Sequence, residues 1–343
     1  MPNAAIKTGA VRLPVNRSFE RELAVLESMS GRRPDADGIE HVRKALGHDN
    51  NYLVAKAARI VGDNVLLALL PEVLAAYNRF FENAVKSDPQ CWAKNALIKA
   101  VVALECREPK VYLRGLRHIQ EEPVWGGYSD TAGALRGACT QALVLCEGIG
   151  DHDLLDILLT PLLDKDKTVR MEAARAIGHV GGPAATLLLK LRILLRKDDP
   201  EVMGACFRAL LRLDGVHKEN AIQLVSEFLD DGEDAALDAA LALAETHATV
   251  ALDALIAARK KAREISFIAA LDQAIALSRL PQGLEFLLGL VGNDPRHGAS
   301  ALEAISRVYQ SEEIRSRVAT AVATVDNERA LLAFRQCFPE DAP

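Results

Sequence analysis

A single apolar spacing recurs eight times along the chain, and it limits the possible fold more than any other feature. In its clearest copy, Val169 is followed by Ala173, Ala176 and Ile177, at intervals of four, seven and eight residues. These intervals place all four side chains on one face of an α-helix. Copies of the spacing begin at Leu53, Ala93, Leu135, Val169, Val202, Ala235, Phe267 and His297. The spacing therefore predicts eight helices of one type, called here the repeat helices.

Leu-rich segments between these copies predict a second helix in each repeat. They occupy Asp153–Asp164, Pro183–Arg196, Lys218–Leu229, Val250–Ala262 and Gly283–Val291. One helix pair cannot cover its own apolar faces, whereas stacked pairs form a continuous core. Small residues such as Ala173 and Gly178 would let neighbouring helices approach closely. We therefore predict an all-α fold, a right-handed α-solenoid of about eight stacked antiparallel helix pairs, with no sheet.

Composition agrees with this fold and suggests a cellular location. Aromatic residues make up only 5% of the chain, so the core must consist of Leu, Ala, Val and Ile, which favours packed helices over a β-sandwich or barrel. No run of about 18 apolar residues is present, and residues 1–17 lack the apolar segment of a secretory signal. The six cysteines have no metal-ligand spacing. We expect a cytoplasmic protein with an extended tail over residues 1–17 and a single solenoid over residues 18–343.

The repeat that starts at Asp166 resembles a HEAT repeat. It follows the pattern D-x-x-V-R-x-x-A-A-x-A-[LI]-G through Asp166, Val169, Arg170, Ala173, Ala174, Ala176, Ile177 and Gly178. It is similar in particular to the short repeats of bacterial phycobilisome-lyase HEAT-like proteins, and the repeats together cover about residues 37–338. The resemblance implies stacked helix pairs. It implies no single activity, because the family includes lyase subunits, adaptor scaffolds and DNA glycosylases.

The resemblance also implies a structural role for the cation that follows each repeat start. Arg136 and Arg170, with Lys94 in an earlier repeat, occupy this position. In HEAT-like repeats an arginine here is bonded to an aspartate of a neighbouring unit, and such a pair fixes the orientation of adjacent units. The aspartates available nearby in sequence are Asp130, Asp164 and Asp166.

The distance between repeat starts is longer at two places near the N-terminus. The starts there are separated by 40 and 42 residues, where about 33 is usual in the later repeats. The additional residues lie in 64–88 and 107–130, and they predict longer, irregular units. The second segment contains Pro-Val-Trp-Gly-Gly-Tyr at residues 123–128, a turn that no helix can accommodate.

The two tryptophans of the chain lie near this turn. Trp125 is within it, and Trp92 opens the preceding repeat helix. In one interpretation, Trp125 folds inward and fills a gap between units of unequal length. In the other, Trp92, Trp125 and Tyr128, together with Arg114 and His118, form the rim of a recognition pocket, because aromatic and arginine side chains are frequent at binding hot spots.

A row of cations follows the repeat helices in the first part of the chain. In a HEAT-like solenoid these helices line the concave side, and the sixth residue after each start points away from the packed face. In successive repeats this residue is Arg59, Lys99, Gln141, Arg175, Arg208, Leu241, Gln273 and Glu303. In one interpretation the row is an ordinary solvent-exposed surface, because helix faces in contact with water usually carry charged side chains. The alternative is a groove for an anionic ligand or an acidic peptide.

Catalytic and cofactor motifs are absent from the sequence. It contains no phosphate-binding or dinucleotide-binding glycine motif, no nucleophile elbow and no H-E-x-x-H. The eight histidines are dispersed, and no two lie four residues apart on one helix. The basic run Arg259–Arg263 suits a helix C-terminus, where it complements the negative helix end. We therefore predict no enzyme activity, no metal and no cofactor.

These observations favour a non-catalytic scaffold that binds a protein or peptide. The cation row favours an acidic partner, and we expect no membrane association. The first alternative is a HEAT-like DNA glycosylase or other nucleic-acid-directed enzyme. Such an enzyme needs Trp, Asp and Arg side chains on its concave side, and the only plausible candidates for these are Trp92, Trp125, Asp130 and Arg175. A sequence pI of about 5.8 disfavours nucleic acid. The second alternative is a lyase or chaperone subunit for a cofactor. The predicted partner-binding residues are Trp92, Asn95, Lys99, Arg114, His118, Trp125, Tyr128, Arg175 and Arg208.

Overall fold

The structure, a computed structural model, describes residues 17–213, 218–230, 234–293, 298–323 and 328–338. By its internal contacts the chain divides into two parts, Met1–Ile149 and Gly150–Pro343, which we name the N-terminal unit and the C-terminal unit. The single solenoid over residues 18–343 remains a prediction. Residues 1–16 of the predicted tail and the repeat start at His297 lie outside the described residues, and Arg17 begins the first helix.

Helix pairs and one β-hairpin form the described part of the N-terminal unit. Its elements are α1 (Arg17–Ser28), α2 (Ala36–Leu46), α3 (Asn51–Asp63), α4 (Leu70–Arg79), α5 (Ala84–Ser87), α6 (Trp92–Ala103), α7 (Pro109–Leu116), β1 (Glu121–Val124), β2 (Gly127–Asp130) and α8 (Gly133–Leu143), with 3₁₀ turns at Leu67–Leu69 and Pro89–Cys91. The repeat helices α3, α6 and α8 pack one on the next. Helices α2, α4 and α7 form a second layer against them.

The described part of the C-terminal unit is entirely helical. Its elements are α9 (Asp151–Leu162), α10 (Lys167–Val180), α11 (Gly182–Leu194), α12 (Pro200–Arg212), α13 (Lys218–Ser226), α14 (Ala236–Ala244), α15 (Thr249–Lys261), α16 (Ile265–Leu277), α17 (Pro281–Asn293), α18 (Gly298–Val308), α19 (Glu312–Ala323) and α20 (Glu328–Cys337). The even-numbered helices from α10 to α20 pack one on the next, with the odd-numbered helices beside them. In each unit the helix pairs thus stack into a HEAT-like α-solenoid, which confirms the predicted fold class.

The repeat spacing correctly locates the buried face of these helices. In α10, Val169, Ala173 and Ile177 are fully buried. The helix begins where it does because the side chain of Asp166 accepts the backbone N–H of Thr168 at 2.7 Å and so satisfies one of the free donors of the first turn. The capping residue and the apolar spacing therefore both predict α10.

The expectation of no sheet is wrong at one place, because β1 and β2 pair as an antiparallel hairpin. Pro123 lies opposite Tyr128 and Val124 opposite Gly127, which leaves Trp125 and Gly126 as a two-residue turn. Gly126 has φ +90°, a conformation that side chains disfavour and that tight hairpin turns require. The irregular segment 107–130 consists of α7 and this hairpin.

The predicted inter-unit role of Arg170 is confirmed, with different partners. Its guanidinium lies 2.8 Å from Asp198 and 2.6 Å from Asp199, which precede α12. Asp166 instead caps α10, and the backbone carbonyl of Asp164 accepts a hydrogen bond from Arg170 at 2.8 Å. Arg170 therefore joins its own turn to that of the next repeat.

Gly178 lies at a close approach of α10 to α12. A Cβ added at this position would lie 2.7 Å from the Cβ of Ala209 and 3.1 Å from its Cα. Because Gly178 lies inside α10, close helix packing explains the glycine, and a bend at the helix end does not. Gly289 of α17 is also helical, but an added Cβ there would have no atom within 4 Å. Gly289 is therefore a suitable control position for a substitution at Gly178.

We expect Gly178→Ala to lower the free energy of unfolding by about 1–3 kcal/mol, because the added methyl group overpacks the helix interface. Gly289→Ala should raise it by up to about 1 kcal/mol, because alanine is the better helix former and meets no neighbour. Urea denaturation of both variants measures the difference. Equal destabilisation by the two substitutions would contradict the close approach at Gly178.

Candidate functional site

A groove of about 450 Å³ runs between α3 and α6 in the N-terminal unit. Its floor consists of small residues of both helices, and its walls carry aromatic, charged and amide side chains. The lining residues are Tyr52, Ala55, Lys56, Ala58, Arg59, Gly62, Asp63, Trp92, Asn95, Ala96, Lys99, Ala100 and Ala103. We name it the α3–α6 groove. A floor of alanine and glycine lets a ligand lie close to the two helix backbones.

Two aromatic rings close one end of the α3–α6 groove. The rings of Tyr52 and Trp92 have centroids 5.8 Å apart and are tilted by 54°, an arrangement that stabilises aromatic pairs. Lys56 places its ammonium 5.5 Å from the centroid of the Tyr52 ring. Trp92 is 48% exposed, so about half of its surface is free to contact a ligand.

The walls of the groove carry more positive than negative charge. Lys56 is paired with Glu27 at 3.4 Å. Arg59 and Lys99 are exposed, and neither forms an ion pair with another residue that the structure describes. Asp63 is the acidic residue of the lining. The two unpaired cations give the groove a net attraction for anions.

Asn95 lies between Trp92 and Lys99 on the wall formed by α6, and its polar group is only partly satisfied. The side-chain Oδ1 is shielded from solvent, and within the described residues it has no hydrogen-bond partner. Buried acceptors in native proteins are commonly satisfied by ordered water or by a ligand. Asn95 therefore leaves one shielded amide oxygen without a partner on the wall formed by α6.

Asp88 determines where α6 begins and hence where Trp92 points. Its buried carboxylate accepts the backbone N–H groups of Ala93 at 2.8 Å and Lys94 at 3.0 Å, as a capping residue does. The buried ammonium of Lys94 lies 3.0 Å from the same carboxylate. Lys94 is therefore structural, as the resemblance implies.

The base of the hairpin is bonded to the segment that precedes α6. The Oε1 atom of Glu122 accepts the backbone N–H of Gln90 at 2.6 Å, the side-chain amide of Gln120 at 2.6 Å and the hydroxyl of Thr131 at 2.7 Å. Three donors on one carboxylate oxygen hold β1 in place from both sides. The hairpin is thus a fixed part of the unit.

A second carboxylate fixes the other strand of the hairpin. Asp130 accepts the backbone N–H groups of Gln120 and Ala132, each at 3.0 Å, and pairs with the buried guanidinium of Arg136 at 2.6 Å. Arg136 also donates to the carbonyl of His118 at 3.1 Å. Arg136 thus pairs with Asp130, one of the aspartates predicted for this role, but Asp130 lies just before α8 and belongs to the turn of the same repeat. Asp130 is consequently engaged in fixing the hairpin and the start of α8.

The pKa values in this network follow from burial and hydrogen bonding. Burial raises the pKa of Glu122, but the hydrogen bonds from Gln120, Thr131 and Gln90 outweigh this effect and hold it below its usual range. Burial raises the pKa of the Cys91 thiol to about 11, so the thiol stays protonated and unreactive at neutral pH. The Glu122 carboxylate is therefore kept charged, and the buried Cys91 thiol is kept neutral.

Trp125 lies at the tip of the hairpin and is fully exposed, at 103% of its reference surface. The interpretation in which it folds inward and fills a gap is therefore wrong. Tyr128 is also exposed, and neither residue lines the α3–α6 groove. The tight turn points its aromatic side chain into solvent because Gly126 closes the chain within two residues.

The structure does not bring Arg114 and His118 to the groove. Arg114 stacks on the ring of Phe81, 4.5 Å from its centroid, and donates to Asn78 at 2.6 Å. The ring of His118 packs edge-on against Phe81 at 4.9 Å, and burial lowers its pKa. The five-residue pocket rim is therefore replaced by a groove that holds Trp92 and a hairpin that holds Trp125 and Tyr128.

The remaining predicted residues fall into two groups. Asn95 and Lys99 line the α3–α6 groove together with Trp92, whereas Arg175 and Arg208 lie in the C-terminal unit. Sequence reasoning missed Tyr52, although a signal was present. Tyr52 and Trp92 both stand one residue before a repeat start, so the same repeat position supplies both rings of the aromatic end.

Comparison with known proteins yields a distant structural likeness. No family model and no curated protein matches the chain. The solved structure of human deoxyhypusine hydroxylase in complex with glycerol is similar, with 17% sequence identity, a TM-score of 0.30, and coverage of 78% of this chain and 92% of that chain. That protein is an enzyme, so our expectation of no enzyme activity is wrong as an inference from architecture. At this TM-score the likeness assigns no activity to this chain.

Two kinds of feature are missing from the described residues. None of the helices there is both long and apolar enough to cross a membrane. No group of three or more His, Cys, Asp or Glu that could hold a metal ion occurs in the same part of the chain. The basic run at 259–263 does not form an exposed patch as a whole, because Arg259 is buried and bonded to Asp272 at 2.6 Å.

We expect Trp125→Ala to change the free energy of unfolding by less than about 0.5 kcal/mol, because an exposed side chain has little surface to lose. Thermal unfolding followed by circular dichroism measures this. A large fall in melting temperature would mean that the indole packs against the protein after all.

We also expect the hairpin network to lose stability in acid. The pKa of Glu122 is lower in the folded protein than its unfolded value of about 4.3, so its contribution is complete above that pH and is lost as the pH falls through the folded value. Glu122→Gln cannot titrate, so urea denaturation between about pH 3 and pH 6 should show a shallower pH dependence for the variant. Identical slopes for wild type and variant would contradict the role assigned to Glu122.

Proposed function

We propose that the chain binds a protein segment or peptide in the α3–α6 groove. The observation that carries this proposal is the combination of an apolar floor, an aromatic end and two unpaired cations within one groove. Each part suits a peptide: the floor accepts apolar side chains, and Trp92 offers a hot-spot surface. Arg59 and Lys99 select for carboxylate groups. The proposed partner is therefore a segment with an apolar anchor and acidic residues.

The hairpin supports a second contact with the same partner. Trp125 and Tyr128 are exposed, and β1 is bonded to Gln90, two residues before Trp92. Exposed aromatic residues on a fixed turn lose little conformational entropy when they bind, which favours affinity. A partner with a surface beyond the bound segment would contact the tip of the hairpin. In this proposal Trp92, Trp125 and Tyr128 make separate contacts with one partner.

A location in the cytoplasm belongs to the same proposal and is supported by the cysteines. All six are free thiols, as expected in a reducing compartment. The closer resemblance to phycobilisome-lyase repeats also remains part of the proposal, because the structure supports HEAT-like repeats only in general. A glycosylase role finds no support, since Asp130 is paired with Arg136 and Arg175 lies in the other unit.

The test is a selection of peptides from a random display library on the immobilised full chain. We expect the retained peptides to be rich in Asp and Glu with an aromatic or aliphatic anchor. Arg59→Glu combined with Lys99→Glu should abolish their binding, and Trp92→Ala should weaken it by about 2 kcal/mol or more, as hot-spot residues do. Isothermal titration calorimetry with the selected peptides measures both effects.

The matched control is Lys44→Glu combined with Lys110→Glu. These exposed lysines lie on α2 and α7, in the other helix layer, and the double variant makes the same change in charge. It should bind the selected peptides as the wild type does. Peptides that bind the groove variant and the control variant equally well would refute the proposal.

A further inference from the structure

A cleft whose charged residues are mostly arginines lies along the repeat helices of the C-terminal unit. It consists of two adjoining hollows of about 560 Å³ and 520 Å³, which share Arg208, Arg212 and Glu245. Arg175 of α10 lines the first hollow, and Arg279, just after α16, lines the second. We name this surface the arginine cleft.

The guanidinium groups of the cleft keep donors free for a ligand. Arg208 lies 3.7 Å from Asp238, and Arg212 lies 3.6 Å from Glu245. Both distances are too long for strong hydrogen bonds. Arg175 makes a single short contact, 2.6 Å to a glutamate of its own helix. Arg279 has no ion pair with any residue that the structure describes. Because each guanidinium carries five N–H donors, all four can still bind a carboxylate.

The charge of the cleft opposes the charge of the unit around it. Residues 151–343 contain 22 Lys and Arg against 30 Asp and Glu. The cleft is lined by four arginines and by the carboxylate of Glu245. Two further carboxylates, Glu172 and Asp238, lie beside Arg175 and Arg208, so the cations still outnumber the carboxylates. A positive cleft in an acidic unit concentrates field lines and draws anions to one place. The ligand that fits this field is anionic.

The spacing of the arginines indicates the shape of that ligand. Packed helices lie about 8–10 Å apart, and an extended peptide advances about 3.3 Å per residue, so about three peptide residues span one helix. Arg175 is on α10, Arg208 and Arg212 are on α12, and Arg279 follows α16. Between them, α14 presents Leu241. An extended peptide would therefore carry acidic residues at positions 1, 4 and 10 and an apolar residue at position 7.

The composition of the lining favours a peptide over a nucleic acid. Among the described residues that line the cleft, none is Phe, Tyr or Trp. Single-stranded nucleic acids are usually held by stacking of their bases on such rings. Leu211, Leu241 and Leu277 provide apolar surface instead. This surface suits an aliphatic side chain between acidic ones.

We infer that the arginine cleft binds an extended acidic peptide with carboxylates at positions 1, 4 and 10 and an apolar residue at position 7. The inference goes beyond the proposed function, because it concerns the other unit and uses none of the residues of the α3–α6 groove. The two can therefore fail separately.

The experiment uses the full chain and two fluorescein-labelled peptides of the same composition. One carries Glu at positions 1, 4 and 10 and Leu at position 7 in a Gly-Ser background; the other carries its three Glu residues consecutively. Fluorescence anisotropy should show that the spaced peptide binds at least about fivefold more tightly. Arg208→Glu combined with Arg212→Glu should weaken its binding about tenfold or more, because two attractive pairs become repulsive.

Matched variants make the result specific. Lys218→Glu combined with Lys261→Glu changes the charge equally, on exposed residues of α13 and α15 in the other helix layer, and should leave binding unchanged. If the Arg208 variant fails to fold, Arg212→Glu combined with Arg279→Glu replaces it, since both side chains are exposed.

Three results would overturn the inference. The first is equal binding of the two peptides. The second is a loss of binding in the α3–α6 groove variant, or in the Lys218 and Lys261 control, as large as the loss in the cleft variants. The third is tighter binding of a ten-nucleotide oligo-dT than of the spaced peptide, abolished by the cleft variants, which would assign the cleft to nucleic acid.

Discussion

Asp88 forms the interaction on which the α3–α6 groove depends. Its buried carboxylate accepts the side-chain amide of Asn51 at the start of α3 and the N–H groups of Ala93 and Lys94 at the start of α6, and it pairs with the Lys94 ammonium. The backbone carbonyl of Asp88 accepts a hydrogen bond from the side-chain amide of Gln120, which directly precedes the hairpin. Taking two charges out of water costs several kcal/mol, and hydrogen bonds to both charges offset this cost: the carboxylate accepts the three N–H groups above, and the ammonium also donates to the carbonyl of Phe80 at 3.1 Å. One residue thus holds both walls of the groove and the base of the hairpin.

The same interaction explains the unusual backbone in front of α6. Gln90 and Cys91 have φ +60° and +54°, in the left-handed region that side chains disfavour. Such conformations persist where the surroundings over-determine them. Here Asp88 precedes the pair, Glu122 binds the N–H of Gln90, and the capped helix follows. The result is that Trp92 enters the groove from a fixed direction, so little freedom is lost when a ligand contacts it.

The fold could be predicted because its signal is local and repeated: Val169, Ala173 and Ile177 are buried for the same reason as their counterparts in other repeats. The site could be predicted only in part. Trp92 is singled out by the scarcity of tryptophan and Lys99 by its repeat position, and both line the α3–α6 groove. The contacts of Glu122, by contrast, join residues up to 32 positions apart and leave no periodic pattern in the sequence. Whether the Trp125 ring points inward depends on how the turn closes, and that is decided by the paired strands rather than by the turn sequence alone.

The placement of the two tryptophans has a spectroscopic consequence. Trp125 is fully exposed and Trp92 about half exposed, and the chain contains no other tryptophan. The native protein should therefore fluoresce much like an unfolded one, with emission close to that of indole in water. Unfolding would shift the emission little, whereas a partner that covers either ring would shift it to shorter wavelength. Intrinsic fluorescence, usually a probe of folding, would in this protein report mainly on the occupancy of its surface.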